Sequence, residues 1–99
     1  MINHVVLFKL KEYSAEEKSQ VLANLKSMLL NLKAEIDELK HIEVGENYEL
    51  DSKSFDLALI SHFENVADLD VYRVHPEHQK VVAYAGEVTE ARAAVDFNF

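Results

Sequence analysis

The chain has 99 residues, no cysteine, two glycines, one proline and a net charge of −8. The acidic balance argues against nucleic acid and membrane surfaces as partners, since phosphate groups are bound by clusters of Lys and Arg. The missing thiols exclude disulfides and thiolate-bound zinc. The apolar fraction of 48% is ample for a core, and no apolar run is long enough for a membrane span or a signal peptide. We expect one cytoplasmic domain over residues 1–99.

The first predicted strand covers Ile2–Leu10 and has apolar residues on both of its faces. His4, Val6 and Phe8 share one face, and the side chains between them form a second face that is also largely apolar. A strand with this pattern is covered on both sides of its sheet.

A capping box at Ser14–Glu17 predicts the start of the first helix, because the serine hydroxyl accepts from a backbone N–H and the glutamate reaches back. Apolar residues at three- and four-residue spacing continue the helix to a point after Leu32. These residues are Val21, Leu22, Leu25, Met28, Leu29 and Leu32.

Two further strands are predicted in the middle of the chain, joined by a polar loop over residues 49–54. The second strand covers His41–Glu49 and is interrupted or bent at Gly45. The third strand covers Phe55–Phe63 and shows the clearest alternation of side chains. One of its faces carries Phe55, Leu57, Leu59, Ser61 and Phe63, and the other carries Asp56, Ala58, Ile60 and His62.

The last third of the chain predicts a broken helix followed by a strand. Asn65 caps a short helix that carries Tyr72. Pro76 suits the first turn of a further helix that runs to about Glu90. The final strand covers Ala93–Phe99, with Val95, Phe97 and Phe99 alternating against polar residues.

The order of elements predicts an α+β, ferredoxin-like βαββαβ fold with a four-stranded antiparallel sheet and helices on one face. The other face of the sheet would be bare in a monomer, although Val5, Leu7, Ala58 and Ile60 point to it. Such an apolar patch marks an interface. We therefore expect a homodimer in which two sheets stack or close into a barrel.

A Tyr-x-x-His-Pro-x-His motif occupies Tyr72–His78. Together with the stretches 4–10, 55–59, 63–64 and 95–97, it resembles the stress-responsive dimeric α/β-barrel (A/B barrel) domain family over essentially the whole chain. The resemblance implies a dimeric ferredoxin-like barrel, with residues 1–99 as a single A/B barrel domain. Many members of that family have no assigned activity.

The resemblance also implies a site for chemistry on a small hydrophobic ligand. A plant polyketide cyclase of this kind closes a linear tetraketide by aldol condensation, using residues that match Tyr72, His78 and His4. This chain differs from the cyclase at Leu57, where the cyclase has a histidine. It differs again on the first helix, where Leu22, Ala23 and Leu25 stand in place of bulky aromatic residues.

The residues themselves support such a pocket. His4 lies on the helix-facing side of the sheet, Tyr72 lies on the covering helix, and His78 is near a helix N-terminus, where the dipole lowers a histidine pKa. A neutral imidazole beside a phenol can abstract a proton next to a carbonyl whose oxygen the phenol polarises. This chemistry needs no cofactor. The pocket is expected to include Val6, Phe8, Leu57, Leu59 and His75.

A structural interpretation of the same residues is the alternative. His75 is expected mainly to cap the helix that follows it. Tyr72 and His78 would then form a buried hydrogen-bonded pair, and His4 would be a satisfied histidine at a strand start. The protein would be a noncatalytic, stress-associated homodimer with structural histidines.

A metal site is a further hypothesis, because His75 and His78 are three residues apart with Glu77 between them. No second matched pair of ligands occurs elsewhere in the sequence, so we expect no bound metal. His41 and His62 are expected at the surface or in an interface.

Overall fold

The structure is a computed structural model that describes residues 1–48 and 54–99. The elements in these two ranges are β1 (Ile2–Leu10), α1 (Ala15–Glu35), β2 (His41–Glu46), β3 (Leu57–Phe63), α2 (Val66–Val74), α3 (Pro76–Val88) and β4 (Thr89–Asn98). Within the described ranges, no helix combines the length and the apolar character that a membrane crossing requires.

The sheet has the strand order β2-β3-β1-β4, and all neighbouring strands are antiparallel. Helix α1 connects β1 to the parallel strand β2 across β3, which is the split βαβ arrangement. The predicted ferredoxin-like α+β fold is therefore confirmed. In the middle of the sheet, His4 of β1 stands opposite Ser61 of β3 and Asp96 of β4.

The helices begin at the residues that the capping signals predict. The Ser14 hydroxyl accepts from the backbone N–H of Glu17 at 3.2 Å, and the Asn65 side chain accepts from Asp68 N–H at 2.9 Å. His75 Nδ1 accepts from the N–H of Glu77 at 3.1 Å. Each side chain satisfies an N–H group that the first turn of a helix leaves without an intrahelical partner.

The core lies between the helices and one face of the sheet. The sheet contributes buried side chains from alternate positions of β1 and β3, and the long stripe of α1 packs on them. The buried members are Val6, Phe8 and Leu10 of β1, Leu57, Leu59 and Phe63 of β3, and Leu25, Leu29 and Leu32 of α1. Each fully buried aliphatic or aromatic side chain contributes roughly 1.5–3 kcal/mol relative to an exposed one.

The predicted boundary between the last helix and the last strand is wrong. Helix α3 ends at Val88 rather than Glu90, and β4 begins at Thr89 rather than Ala93. Residues 91–94 include good helix formers, but pairing with β1 along its whole length overrides that preference. The consequence is that position 92 belongs to the sheet.

The predictions for the middle strands need smaller corrections. Strand β2 ends at Glu46 instead of Glu49, which lies with the rest of segment 49–53 outside the described residues. Gly45 pairs with Ala58 without a break in register. Strand β3 starts at Leu57, and Asp56 just before it is buried, whereas the alternation placed Asp56 on the far face.

The buried carboxylate of Asp56 ties the start of β3 to its neighbours. One of its oxygens accepts from the backbone N–H of Leu10 at 2.7 Å, and the other lies 2.8 Å from Lys18 Nζ. Paired hydrogen bonds of this kind are what a buried charge requires.

The face of the sheet opposite the helices, which we call the open face, is uncovered in the single chain. Leu7 is 38% exposed there, and Val95 and Phe97 are 57% and 46% exposed. The rings of His41 and His62 stack on the same face with centroids 4.7 Å apart. The apolar patch predicted for a monomer is therefore present.

Candidate functional site

A cavity of about 240 Å³ lies between α3 and the helix-facing side of β1 and β4. Four polar side chains line it, namely His4, Arg73, His78 and Arg92. The rest of the lining is apolar and includes Val6, Phe8, Leu59, Val81, Val82 and Ala94. An apolar cavity with a few converging polar groups is the usual form of a small-molecule site.

His78 on the first turns of α3 is held in one orientation by the backbone. Its Nδ1 donates to the carbonyl oxygen of Arg73 at 3.1 Å, so Nε2 carries the lone pair of the neutral ring. Burial is the main cause that lowers the pKa of His78 below 6.5, and the hydrogen bond to the Arg73 carbonyl opposes it. Charges on His4, Arg92 and His75 lower the pKa further. The imidazole is therefore neutral at pH 7, as the sequence predicts, with burial rather than the helix dipole as the leading cause.

Tyr72 of α2 lies against His78 and does not itself line the cavity. Its ring centroid is 4.1 Å from that of His78 and 6.2 Å from that of His4. The side chain is fully buried, and its hydroxyl has no hydrogen-bond partner within residues 1–48 and 54–99. Burial raises the pKa of Tyr72 to about 12, so the phenol stays protonated at neutral pH.

His4 is oriented by a carboxylate from the neighbouring strand. Its Nδ1 donates to Asp96 Oδ1, which fixes the orientation of the ring. The second oxygen of Asp96 accepts from Arg73 Nη2 at 3.0 Å, and Arg73 Nη1 also donates to Asp70 at 2.9 Å. Helix α2 and β4 thus hold His4 through one connected network of charged side chains.

The structure brings together most of the predicted site residues. His4, Val6, Phe8, Leu59 and His78 line the cavity. His75 and Leu57 do not line it. The cap that His75 makes on α3 confirms its structural interpretation, whereas Leu57 is part of the buried core.

Leu57 instead borders a larger and shallower depression of about 470 Å³ at the other side of the sheet. That depression includes Leu7, Gly45 and Ala58 of the open face. It contains no histidine among its described lining residues, so the groups with candidate chemistry converge only on the smaller cavity.

Three polar residues of the site were missed by sequence reasoning. Asp96 orients His4, Arg73 holds Asp96, and Arg92 lines the cavity. The alternation of β4 contains the signal for two of them, because Arg92 and Asp96 stand opposite Phe8 and His4 in the register. The predicted strand begins at Ala93, so it does not include Arg92 as a residue of the sheet or of the site.

The donors in the described ranges do not assemble into a metal site. No three His, Asp or Glu side chains within residues 1–48 and 54–99 lie close enough to hold an ion. The Nδ1 atoms of His75 and His78 both bond to the backbone of the α2–α3 region.

Comparison with known proteins places this chain in one family. The family of stress-responsive A/B barrel domains matches residues 2–99. The chain belongs to this family. A curated member, the stress-response A/B barrel domain-containing protein DABB1 of Arabidopsis thaliana, is 31% identical over 101 residues, which cover 98% of this chain. This chain spans 46% of the length of that relative.

Solved structures share the architecture of this A/B barrel domain. A dimeric protein of unknown function from Bacteroides fragilis, with a ferredoxin-like fold, has a TM-score of 0.89 and 37% identity, covering 99% of this chain and 95% of that one. A hydroxynitrile lyase from Passiflora edulis has a TM-score of 0.77 at 20% identity, covering 97% of this chain and 90% of its own. At that identity, the second likeness concerns the fold alone.

Proposed function

We propose that this protein binds a small hydrophobic carbonyl compound in the cavity and catalyses a cofactor-free proton transfer on it. The observation that carries this proposal is the hydrogen bond from His78 Nδ1 to the Arg73 carbonyl. It leaves the Nε2 lone pair of a neutral imidazole at an apolar cavity. A base of this kind, with a pKa below pH 7, is free to accept a proton at neutral pH.

The roles of the other two residues follow from their protonation and contacts. In the proposed reaction, His78 Nε2 takes the proton from the carbon next to the carbonyl, and negative charge develops on the carbonyl oxygen. We assign Tyr72 as the donor to that oxygen, since its hydroxyl is protonated and unpartnered in the described part of the chain. Because Tyr72 is buried behind the cavity lining, this role requires the ligand to reach past the ring of His78, which packs on Tyr72. We assign His4, which is oriented by Asp96 and lines the same cavity, to assist this proton transfer.

The proposed working form is a homodimer joined through the open faces of two sheets. Exposed Leu7, Val95 and Phe97 make that face unfavourable in water. The 37% identical protein from Bacteroides fragilis is dimeric. Burying the open face against a second copy leaves the cavity, on the opposite side of the sheet, accessible.

Hydrogen–deuterium exchange tests the proposed chemistry without knowledge of the natural substrate. Phenylacetone or 2-octanone is incubated with the protein in D2O, and exchange of the protons next to the carbonyl is followed by NMR. We expect exchange above the buffer rate, reduced by about 100-fold or more in His78→Gln. Lys80→Gln is the control, since Lys80 is 67% exposed on the same helix and does not line the cavity.

Two results would overturn this function. Exchange at the buffer rate with both ketones removes the catalytic proposal and favours the noncatalytic homodimer. Exchange that persists unchanged in His78→Gln shows that another group is the base.

A further inference from the structure

The two arginines of this chain, Arg73 and Arg92, both line the cavity but differ in their partners. Arg73 is bound by two carboxylates, with distances of 2.9 Å to Asp70 and 3.0 Å to Asp96. The guanidinium of Arg92 makes no hydrogen bond or ion pair with any residue in the ranges 1–48 and 54–99. A guanidinium is always charged at physiological pH and presents a planar set of donors that matches a carboxylate.

Arg92 is exposed at the cavity and has no described carboxylate as a partner, although the protein has 18 acidic residues and only 10 basic ones. The carboxylates nearest along β4 are Asp96 and Glu90, the latter at the register shift between the pairs Lys9–Ala91 and Leu10–Thr89. Asp96 is engaged by His4 and Arg73. Glu90 borders a separate depression, which it shares with several lysines. The fold therefore keeps a cation at the cavity and supplies no described carboxylate to neutralise it.

We propose that the ligand of this cavity is a small apolar acid whose carboxylate is bound by Arg92. This inference rests on the proposed function and narrows its substrate to carbonyl compounds that also carry a carboxylate. A volume of about 240 Å³ suits a small ligand, since sites for drug-sized molecules begin at roughly 300 Å³. One unpaired guanidinium matches a single negative charge, so a carboxylate fits better than a phosphate dianion.

The position of Arg92 also couples the ligand to the proposed base. The positive charge of Arg92 is one of the causes that lower the pKa of His78. A bound carboxylate screens that charge, so binding of an acid should raise the pKa of His78. A neutral ligand of the same shape lacks this effect. The pKa of His78 therefore depends on whether a ligand neutralises the charge of Arg92.

Benzoate and benzamide form a matched pair of probes, since they share size and shape and differ in charge. Binding is measured by calorimetry and by NMR shifts of Val82 and Ala94 at pH 7. We expect benzoate to bind at least ~10-fold more tightly than benzamide, because a hydrogen bond between two charged groups is stronger than one to a neutral amide. Arg92→Gln should weaken benzoate by ~10-fold or more and change benzamide by less than about 2-fold.

Three control measurements sharpen the test. Lys80→Gln removes a positive charge outside the cavity and should leave both affinities unchanged. Arg92→Lys keeps the charge without the planar fork and should give an intermediate affinity for benzoate. Titration of His78 by NMR should show a higher pKa with benzoate bound than with benzamide bound.

The outcomes separate this inference from the proposed function. Equal binding of benzoate and benzamide, or no effect of Arg92→Gln, overturns the carboxylate inference while the cavity remains a binding site. Tighter binding of phenyl phosphate than of benzoate overturns the choice of carboxylate. If neither benzoate nor benzamide shifts Val82 or Ala94 in the unmodified protein, the proposed pocket fails and the inference fails with it.

Discussion

The two faces of the sheet both carry apolar side chains of strand β1, but they differ in how far those side chains are exposed. On β1, Val6 and Phe8 under the helices are 5% and 3% exposed, whereas Leu7 between them is 38% exposed. The covered face is completed by the chain itself. The open face has comparable apolar side chains and nothing in the described chain to cover them. An alternating strand therefore shows which residues share a face, and the surrounding elements decide what covers each face.

The histidines of the two faces differ in the same way. On the covered side, His4 and His78 each use Nδ1 in a hydrogen bond to a fixed partner. On the open face, the His62 ring lies between His41 and Phe99, with centroid distances of 4.7 Å and 4.6 Å. His41 Nε2 also bonds to Glu43 Oε1 at 2.8 Å, and the His78 ring packs on Tyr72, so the two pairs of histidines differ mainly in that only His4 and His78 line the cavity of about 240 Å³. We accordingly assign ligand binding to one face and association to the other.

Leu7→Glu should have the largest effect, because it places a charge in the centre of the proposed interface. We expect the dimer dissociation constant to rise by at least ~100-fold, or about 2.8 kcal/mol. Leu30→Glu is the matched control, since Leu30 on α1 is 40% exposed and Glu is a good helix former. Sedimentation at micromolar concentration measures both. A stable Leu7→Glu dimer would place the interface elsewhere.

Asp96→Asn should have the next largest effect, on the covered face. The substitution removes the charge that holds His4 and Arg73, and Asp96 is 34% exposed. We expect a loss of about 1 kcal/mol in the free energy of unfolding, measured in urea. Asp70→Asn, at a side chain 62% exposed, should cost less than about 0.5 kcal/mol. Equal losses for the two variants would show that Asp96 contributes no more to stability than the exposed ion pair of Asp70.

Tyr72→Phe should change stability least, because the hydroxyl that it removes has no described partner. The free energy of unfolding should stay the same or rise by up to ~1 kcal/mol. Deuterium exchange into phenylacetone should nevertheless slow by about 10-fold or more if the phenol polarises the carbonyl. A loss of several kcal/mol would instead support a structural hydrogen-bonded role for Tyr72.

Stability should also depend on pH through His78. Its pKa is lowered in the folded protein, mainly by burial, so the unfolded chain takes up the proton first as the pH falls below about 6.5. The free energy of unfolding is therefore full above pH 6.5 and falls as the pH decreases toward the folded-state pKa. Urea titrations between pH 7 and pH 5 should show a smaller slope in His78→Gln. An unchanged slope would show that other groups cause the dependence.

Much of the fold follows from local signals in the sequence. The caps at Ser14, Asn65 and His75 and the alternation of β1 all correspond to the observed elements. The start of β4 could not be predicted in this way. Its alanines favour a helix locally, and only pairing with β1, which is distant in sequence, makes the segment a strand.

The candidate site, like the fold, is only partly predictable from local signals in the sequence. The motif that contains Tyr72 and His78 is visible in the sequence, as is the face on which His4 lies. The partnership of His4 with Asp96 depends on the register between β1 and β4. The exclusion of Leu57 from the cavity depends on how the helices pack on β3. Neither feature has a local signal, because each results from contacts between distant parts of the chain.

The division between the two faces can be tested by isotope-filtered NOE measurements on a dimer with one labelled protomer, in the presence of benzoate. The account predicts contacts between protomers at Leu7 and Val95, and contacts with benzoate at Val82 and Ala94. Contacts between protomers at Val82 and Ala94, or benzoate contacts at Leu7 and Val95, would contradict it.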